Sequence, residues 1–369
     1  MKRKAVSSII LTLLLVGMIA FVYKVEPVRA SGTIYIRSDG SIDPPTAKIS
    51  RDGDVYTLIG DIYESIVVQK SYIVIDGTRH TTHGEGWSEG GLFESVGVLV
   101  DSYTHNVTIK NMIIMGFARG IQLHHAYYIT ICNNMIVDSV ADSIFDADDD
   151  AIVDRSHVSN NILKNSEYGI NLHTCRSWTL INNTVINCTY GLFLHMDSNN
   201  NVISGNYLRN NTYGICLSGL VALGVLHAPS GNRIYHNDFV NNTNQAYKSN
   251  TWRCDNVWDD DYPSGGNYWS DYTGVDANHD GIGDTPYTID PDNVDNYPLM
   301  APWAPTPITG DVNSDYEVNL QDLVLIANAL KSKLGDPNWN PSADIASPYG
   351  VISLTDVVWC AYHYGKHYP

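Results

Sequence analysis

The chain has 369 residues, with 22 Lys and Arg against 40 Asp and Glu, giving a formal charge of −18. That length buries a substantial core and allows about two domains. The charge leaves no basic patch to neutralise phosphates, so nucleic acid is excluded as an expected partner, while cation binding or simple solubility suits an acidic surface.

Residues 1–30 open with Met1-Lys2-Arg3-Lys4, run apolar over residues 9–22 and end at Val28-Arg29-Ala30. A basic start, hydrophobic centre and small-residue end read as a cleaved signal peptide. The run is short for a membrane span, and a retained anchor is the other reading. The expected mature protein is secreted or at the cell surface, with no stable membrane span. Cys132, Cys175, Cys188, Cys216, Cys254 and Cys360 are even in number for an oxidising compartment, yet their spacing defines neither a disulfide framework nor a metal knuckle. Sequons at Asn106, Asn182, Asn187, Asn210 and Asn241 fit surface glycosylation, but an asparagine-rich repeat generates them just as readily.

Thr33-Ile34-Tyr35-Ile36, Ser65-Ile66-Val67-Val68 and Tyr72-Ile73-Val74-Ile75 read as opening strands. A repeat then takes over. Thr130-Ile131-Cys132-Asn133-Asn134, Leu180-Ile181-Asn182-Asn183 and Ile203-Ser204-Gly205-Asn206 each join a short apolar strand to an asparagine turn. Gly120-Ile121-Gln122-Leu123, Gly169-Ile170-Asn171-Leu172, Gly191-Leu192-Phe193-Leu194 and Gly214-Ile215-Cys216-Leu217 form a second signature. The period is about 22 residues, too short to bury its own apolar face, so each unit must stack on copies of itself. The expected fold is all-β, a parallel β-helix with apolar stacks inside and amide ladders at the corners. Residues 251–300, aromatic and rich in Asp and Gly, are expected to close the open end of the stack.

Residues 33–84, the coils, Gly265-Gly266-Asn267-Tyr268-Trp269-Ser270-Asp271-Tyr272 and Asp295-Asn296-Tyr297-Pro298-Leu299 together resemble the NosD-type β-helix family, also grouped as carbohydrate-binding and sugar-hydrolase repeats. The resemblance covers most of residues 33–300 and implies a right-handed single-stranded parallel β-helix. It spans enzymes, accessory proteins and binding proteins, so it implies little about activity.

Residues 301–309 read as a Pro-rich linker that separates the β-helix of residues 31–300 from a small domain over 310–369. There Asp311, Asn313, Asp315, Asn319 and Asp322 occupy positions 1, 3, 5, 9 and 12 of a loop that wraps a hard cation, although Tyr316 replaces the usual Gly. An amphipathic helical pattern follows from Leu320 to Leu330. Loop and helix resemble half of a dockerin, and residues 335–356 resemble its duplicated segment, retaining only Asp344, Ser353 and Asp356 as candidate ligands. The resemblance implies an all-α, calcium-binding module and a cohesin-like protein partner, with intramolecular capping as the competing role. A further calcium loop is expected at Asp276, Asn278, Asp280 and Asp284.

Aligning the coils stacks His124, His173, His195 and Ser218, with Asp146, Asp148, Asp149 and Asp150 between the first two, as an expected outward strip. Such a strip suits hydrolysis by paired carboxylates, proton abstraction from a sugar, or metal binding by imidazoles. Tyr127, Tyr128, Trp178, Tyr190, Tyr207, Tyr213, Trp252, Trp258, Tyr268 and Trp269 are candidates for stacking on pyranose faces or for packing. The leading expectation is a calcium-stabilised surface β-helix that binds or displays a polysaccharide or surface glycan. The alternatives are a polysaccharide hydrolase, lyase or epimerase using the Asp/His strip, and a copper-delivery accessory protein.

Overall fold

The computed structural model describes residues 32–86, 95–147, 155–222, 224–249, 253–303, 310, 312, 318–333, 336, 338, 340, 343, 345 and 351–364. The expected signal peptide and Asp148, Asp149, Asp150, Trp252, Asp311, Asn313, Asp315 and Asp344 lie outside the described residues.

Short strands separated by turns stack into a parallel β-helix of three sheets with ten, nine and eight strands. Register holds from coil to coil in all three, apart from a shift between Met115 and Phe117 in the eight-stranded sheet. Tyr168 pairs with Tyr190 and Tyr190 with Tyr213 in the first sheet, Thr130 with His157 and His157 with Thr179 in the second, Met135 with Ile162 and Ile162 with Thr184 in the third. A one-residue slip would turn the apolar set outward, and this fixes the register. Ile121, Ile144, Ile170, Leu192 and Ile215 stack in register inside, all fully buried.

The corners explain the asparagines. Asn133, Asn160, Asn182, Gly205 and His236 hold left-handed backbone, with φ between 55° and 66°, where Asn and Gly are tolerated best. Each is followed by a buried Asn: Asn134, Asn161, Asn183, Asn206 and Asn237. Each Nδ2 donates to the Oδ1 of its counterpart one coil on, at 2.9–3.1 Å, ending at Asn267. The same amides cover carbonyls stranded by the turn, as Asn161 Nδ2 does for Ile131 at 2.9 Å. No apolar residue supplies those partners. All five sequon asparagines are exposed and left-handed, so corner geometry accounts for their recurrence.

Beyond the coils, Tyr268–Trp269 adds a strand to the eight-stranded sheet, and Trp269 stacks between Phe239 and Tyr287 at 4.4 and 4.2 Å. Trp178, Trp258 and Trp269 are at most 1 % exposed. These three are packing residues, which corrects their candidacy for sugar stacking, and Tyr207 is buried with them. Cys132, Cys188, Cys216, Cys254 and Cys360 are free thiols. No described helix is long and apolar enough to cross a membrane.

Near the C-terminus two helices, Leu320–Ala329 and Leu354–His363, repeat one local design. Asn319 caps the first and Asp322 accepts from Asn319 N and Val312 N; Ser353 caps the second and Asp356 accepts from Ser353 N and Ile345 N.

Candidate functional site

The outer face of the ten-stranded sheet carries the site. In strands Tyr168–His173, Tyr190–His195 and Tyr213–Ser218 the first, fourth and sixth residues face out, because the third and fifth join the core. The second is glycine for a steric reason. A Cβ on Gly169, Gly191 or Gly214 would meet a carbonyl oxygen of the next coil at 2.4–2.5 Å.

Position one builds an aromatic column. Tyr168 and Tyr190 stack with ring centroids 4.8 Å apart and planes 9° from parallel, and Tyr190 and Tyr213 at 5.0 Å and 10°. Asn244 follows Tyr213 in register, Tyr247, aligned with Cys216, packs tilted on Tyr213 at 5.0 Å, and Phe193 packs edge-on against Tyr168 and Tyr190. Burial, helped by Glu167, pushes the Tyr168 phenol up to about 12, so it stays a neutral donor and acceptor at any physiological pH. Toward the N-terminus the column ends on Asp142, which pairs with Arg119 at 2.9 Å and accepts from Asn171 at 2.8 Å. Flat half-exposed rings bordered by polar groups suit a ligand with apolar faces and hydroxyl edges.

Position six holds the histidines. His173 and His195 pair in register with rings 4.6 Å apart, followed by Ser218. Burial and then His173 lower the His195 imidazole below its ordinary value, leaving it neutral near pH 7. His124 is not part of this pair, since Ala147 stands between it and His173 in the stack. It is exposed beside His125 and contacts Ser102 Oγ through Nδ1 at 2.9 Å.

Asp146 departs from its expected place. It aligns with Leu123 and Leu172, so it faces the interior, fully buried, with Cys175 Sγ 3.3 Å from its Oδ2. The expected outward position is corrected, because strand alternation puts Asp146 on the opposite side from the histidines. The described structure therefore assembles no Asp/His strip.

In the loop at residues 276–284, Asp276 accepts from Asp280 N and Gly281 N, Asp280 from Ile282 N, and Asp284 from Ala277 N. Those carboxylates are engaged by the loop's own amides. Among the described residues no three His, Cys, Asp or Glu side chains converge as a metal site.

Sequence reasoning singled out Tyr190 and Tyr213 but missed Tyr168, Tyr247 and the Arg119/Asp142 pair. A signal existed, since Tyr precedes the repeat glycine at Tyr168-Gly169, Tyr190-Gly191 and Tyr213-Gly214.

Residues 65–274 match the family described as "Periplasmic copper-binding protein (NosD)". The chain is 35 % identical over 106 residues to "Probable ABC transporter binding protein NosD" of Stutzerimonas stutzeri, an alignment spanning 28 % of this chain and 20 % of that protein. Among solved structures it is similar to an alginate lyase from Paenibacillus sp. str. FPU-7, with 13 % identity, TM-score 0.29, and coverage of 56 % of this chain and 90 % of that one. It is also similar to the Azotobacter vinelandii mannuronan C-5 epimerase AlgE6 A-module, with 14 % identity, TM-score 0.30, and coverage of 65 % and 84 %.

Proposed function

The chain belongs to the periplasmic copper-binding protein (NosD) family, and from that premise we propose that it is an extracytoplasmic glycan-binding protein whose right-handed β-helix presents the tyrosine column as its binding platform. The carrying observation is the register of Tyr168, Tyr190 and Tyr213, three near-parallel half-exposed rings on adjacent coils. A pyranose laid on a ring buries apolar area on both faces, so several rings in a row make a useful site from weak contacts. Catalysis is the weaker reading because Asp146 lies in the core. Affinity electrophoresis of the full chain against a polysaccharide panel, scoring retardation and new reducing or unsaturated ends, tests this. Retardation lost in Tyr190→Ala supports it, and turnover or no retardation by any polymer overturns it.

The C-terminal segment is proposed as a calcium-stabilised dockerin-like docking module. Its support is the duplication of Val312/Asn319/Asp322 as Ile345/Ser353/Asp356. Exposed Leu320 and Val324 on one helix recur as Leu354 and Val358 on the other, a doubled apolar surface suited to a cohesin-like partner. Calcium is proposed there with Asp311, Asn313, Asp315, Asn319 and Asp322 as ligands, and with Asp344 and Asp356 in the second half. The loop of Asp276, Asn278, Asp280 and Asp284 is a further candidate once its carboxylates turn outward.

A second reading is copper handling. It draws on the family and on soft donors on the eight-stranded sheet, where Met115 pairs in register with His83 and shares a buried cluster with Met135. Thioether and imidazole suit copper(I). Titration with copper(I) under a competing chelator tests it, and binding unchanged by Met115→Leu and His83→Gln sinks it.

A further inference from the structure

One coil carries a corner unlike its neighbours. From the left-handed corner residue to the first outward strand residue the chain advances three positions at Asn165/Tyr168, Asn187/Tyr190, Asn210/Tyr213 and Asn241/Asn244. At Asp138/Asp142 it advances four. The extra residue bulges the corner at Ser139 and Val140, and beside it lies a shallow depression of about 660 Å³.

Its lining is polar. Asp138 stands where the next coils place Asn165 and Asn187, and its Oδ1 accepts from Asn165 Nδ2 at 2.9 Å. Asn187 in turn donates to Asn165 Oδ1 at 3.4 Å, so both surface amides point toward the carboxylate. Glu167 is exposed at the rim. Ser139 is 2 % exposed, and its hydroxyl has no hydrogen-bond partner among the described residues although the residue lines the depression. A buried hydroxyl left without a partner costs about 1–3 kcal/mol, which a ligand polar atom would recover.

The depression adjoins the tyrosine column, because Glu167 and Thr189 immediately precede Tyr168 and Tyr190. Resting on the glycan reading, we propose that this corner is a subsite for one sugar residue of a neutral polysaccharide, whose hydroxyls bridge Asp138, Ser139 and Glu167 while the chain continues over Tyr168 and Tyr190. Carboxylates accept from sugar hydroxyls in charge-assisted bonds, and two of them at one rim repel a uronate. The ligand class is therefore uncharged glycan rather than alginate- or pectin-like polymer.

The test uses the full chain on gels containing a neutral β-glucan or mannan, alginate, or polygalacturonate. The variants are Asp138→Asn/Ser139→Ala, with the asparagine that neighbouring corners already carry, and Glu167→Gln. Wild type should be retarded by a neutral polymer and not by the uronates, and the double variant should bind about tenfold more weakly. Equal retardation of variants and wild type by the neutral polymer overturns the subsite while leaving the tyrosine platform standing. So does wild-type binding to alginate as tight as to neutral glycan. Failure of the wild type to bind any polymer overturns the platform and the subsite together.

Discussion

Asp295 receives the last rung of the asparagine ladder: its Oδ2 lies 2.7 Å from Asn267 N and 2.8 Å from Trp269 Nε1, inside the cap. Every amide in the column donates toward this end. A carboxylate accepts without needing to donate further, so it terminates the column without leaving a stranded donor.

That position has a pH signature. Burial pushes the Asp295 carboxyl up from 3.8 to about 6, against the lowering effect of its hydrogen bonds. A raised acid favours the fold in its protonated form, so its contribution is complete below about pH 4 and is lost as pH rises through about 6, on the order of 2–3 kcal/mol. Asp295→Asn should flatten that part of the profile. Thermal melts of wild type and variant from pH 4 to 8 check this, and parallel curves would refute it.

Within the column, Asn183→Ala leaves the Asn161 amide and the Val158 carbonyl without their partner. The expected loss is about 2–4 kcal/mol, against about 1 kcal/mol for Asn182→Ala, where only the left-handed backbone preference goes. Urea titration of both variants distinguishes the two, and equal losses would contradict the ladder's role.

Tyr190→Ala should reduce glycan retardation about tenfold with the circular dichroism spectrum unchanged, since its ring lies on the outer face between Tyr168 and Tyr213. Unchanged binding would move the platform elsewhere.

Asp146→Leu continues the interior column of Leu123 and Leu172. Replacing a buried carboxyl with an apolar side chain of similar size removes its desolvation cost. The melting temperature should hold or rise with glycan binding intact, whereas loss of a polysaccharide-cleaving activity would restore the catalytic reading.

Calcium chelation should lower the unfolding midpoint of the segment holding Leu320–Ala329 and Leu354–His363, read by calorimetry with and without chelator. An unchanged midpoint would remove calcium from the module.

The repeat was legible in sequence because period and pattern are local. Alternation of Ile and Leu and left-handed asparagine at the corners are demanded by the backbone of a single coil, so Ile170 and Asn182 could be read one at a time. What each side chain meets was decided between coils. Asp146 reads as an acidic neighbour of His173 until register sets it opposite Leu172, and alternation then turns it into the core. His173 and His195 meet for the same reason, while Ala147 separates His124 from them. Asp295 and Ser139 owe their character to long-range packing: one is set by a column of amides that ends on it from 28 residues away, the other by a single extra residue at a corner. Sequence thus determined the coil. Stacking, which brings residues one period apart to within about 5 Å, determined which of them share a site.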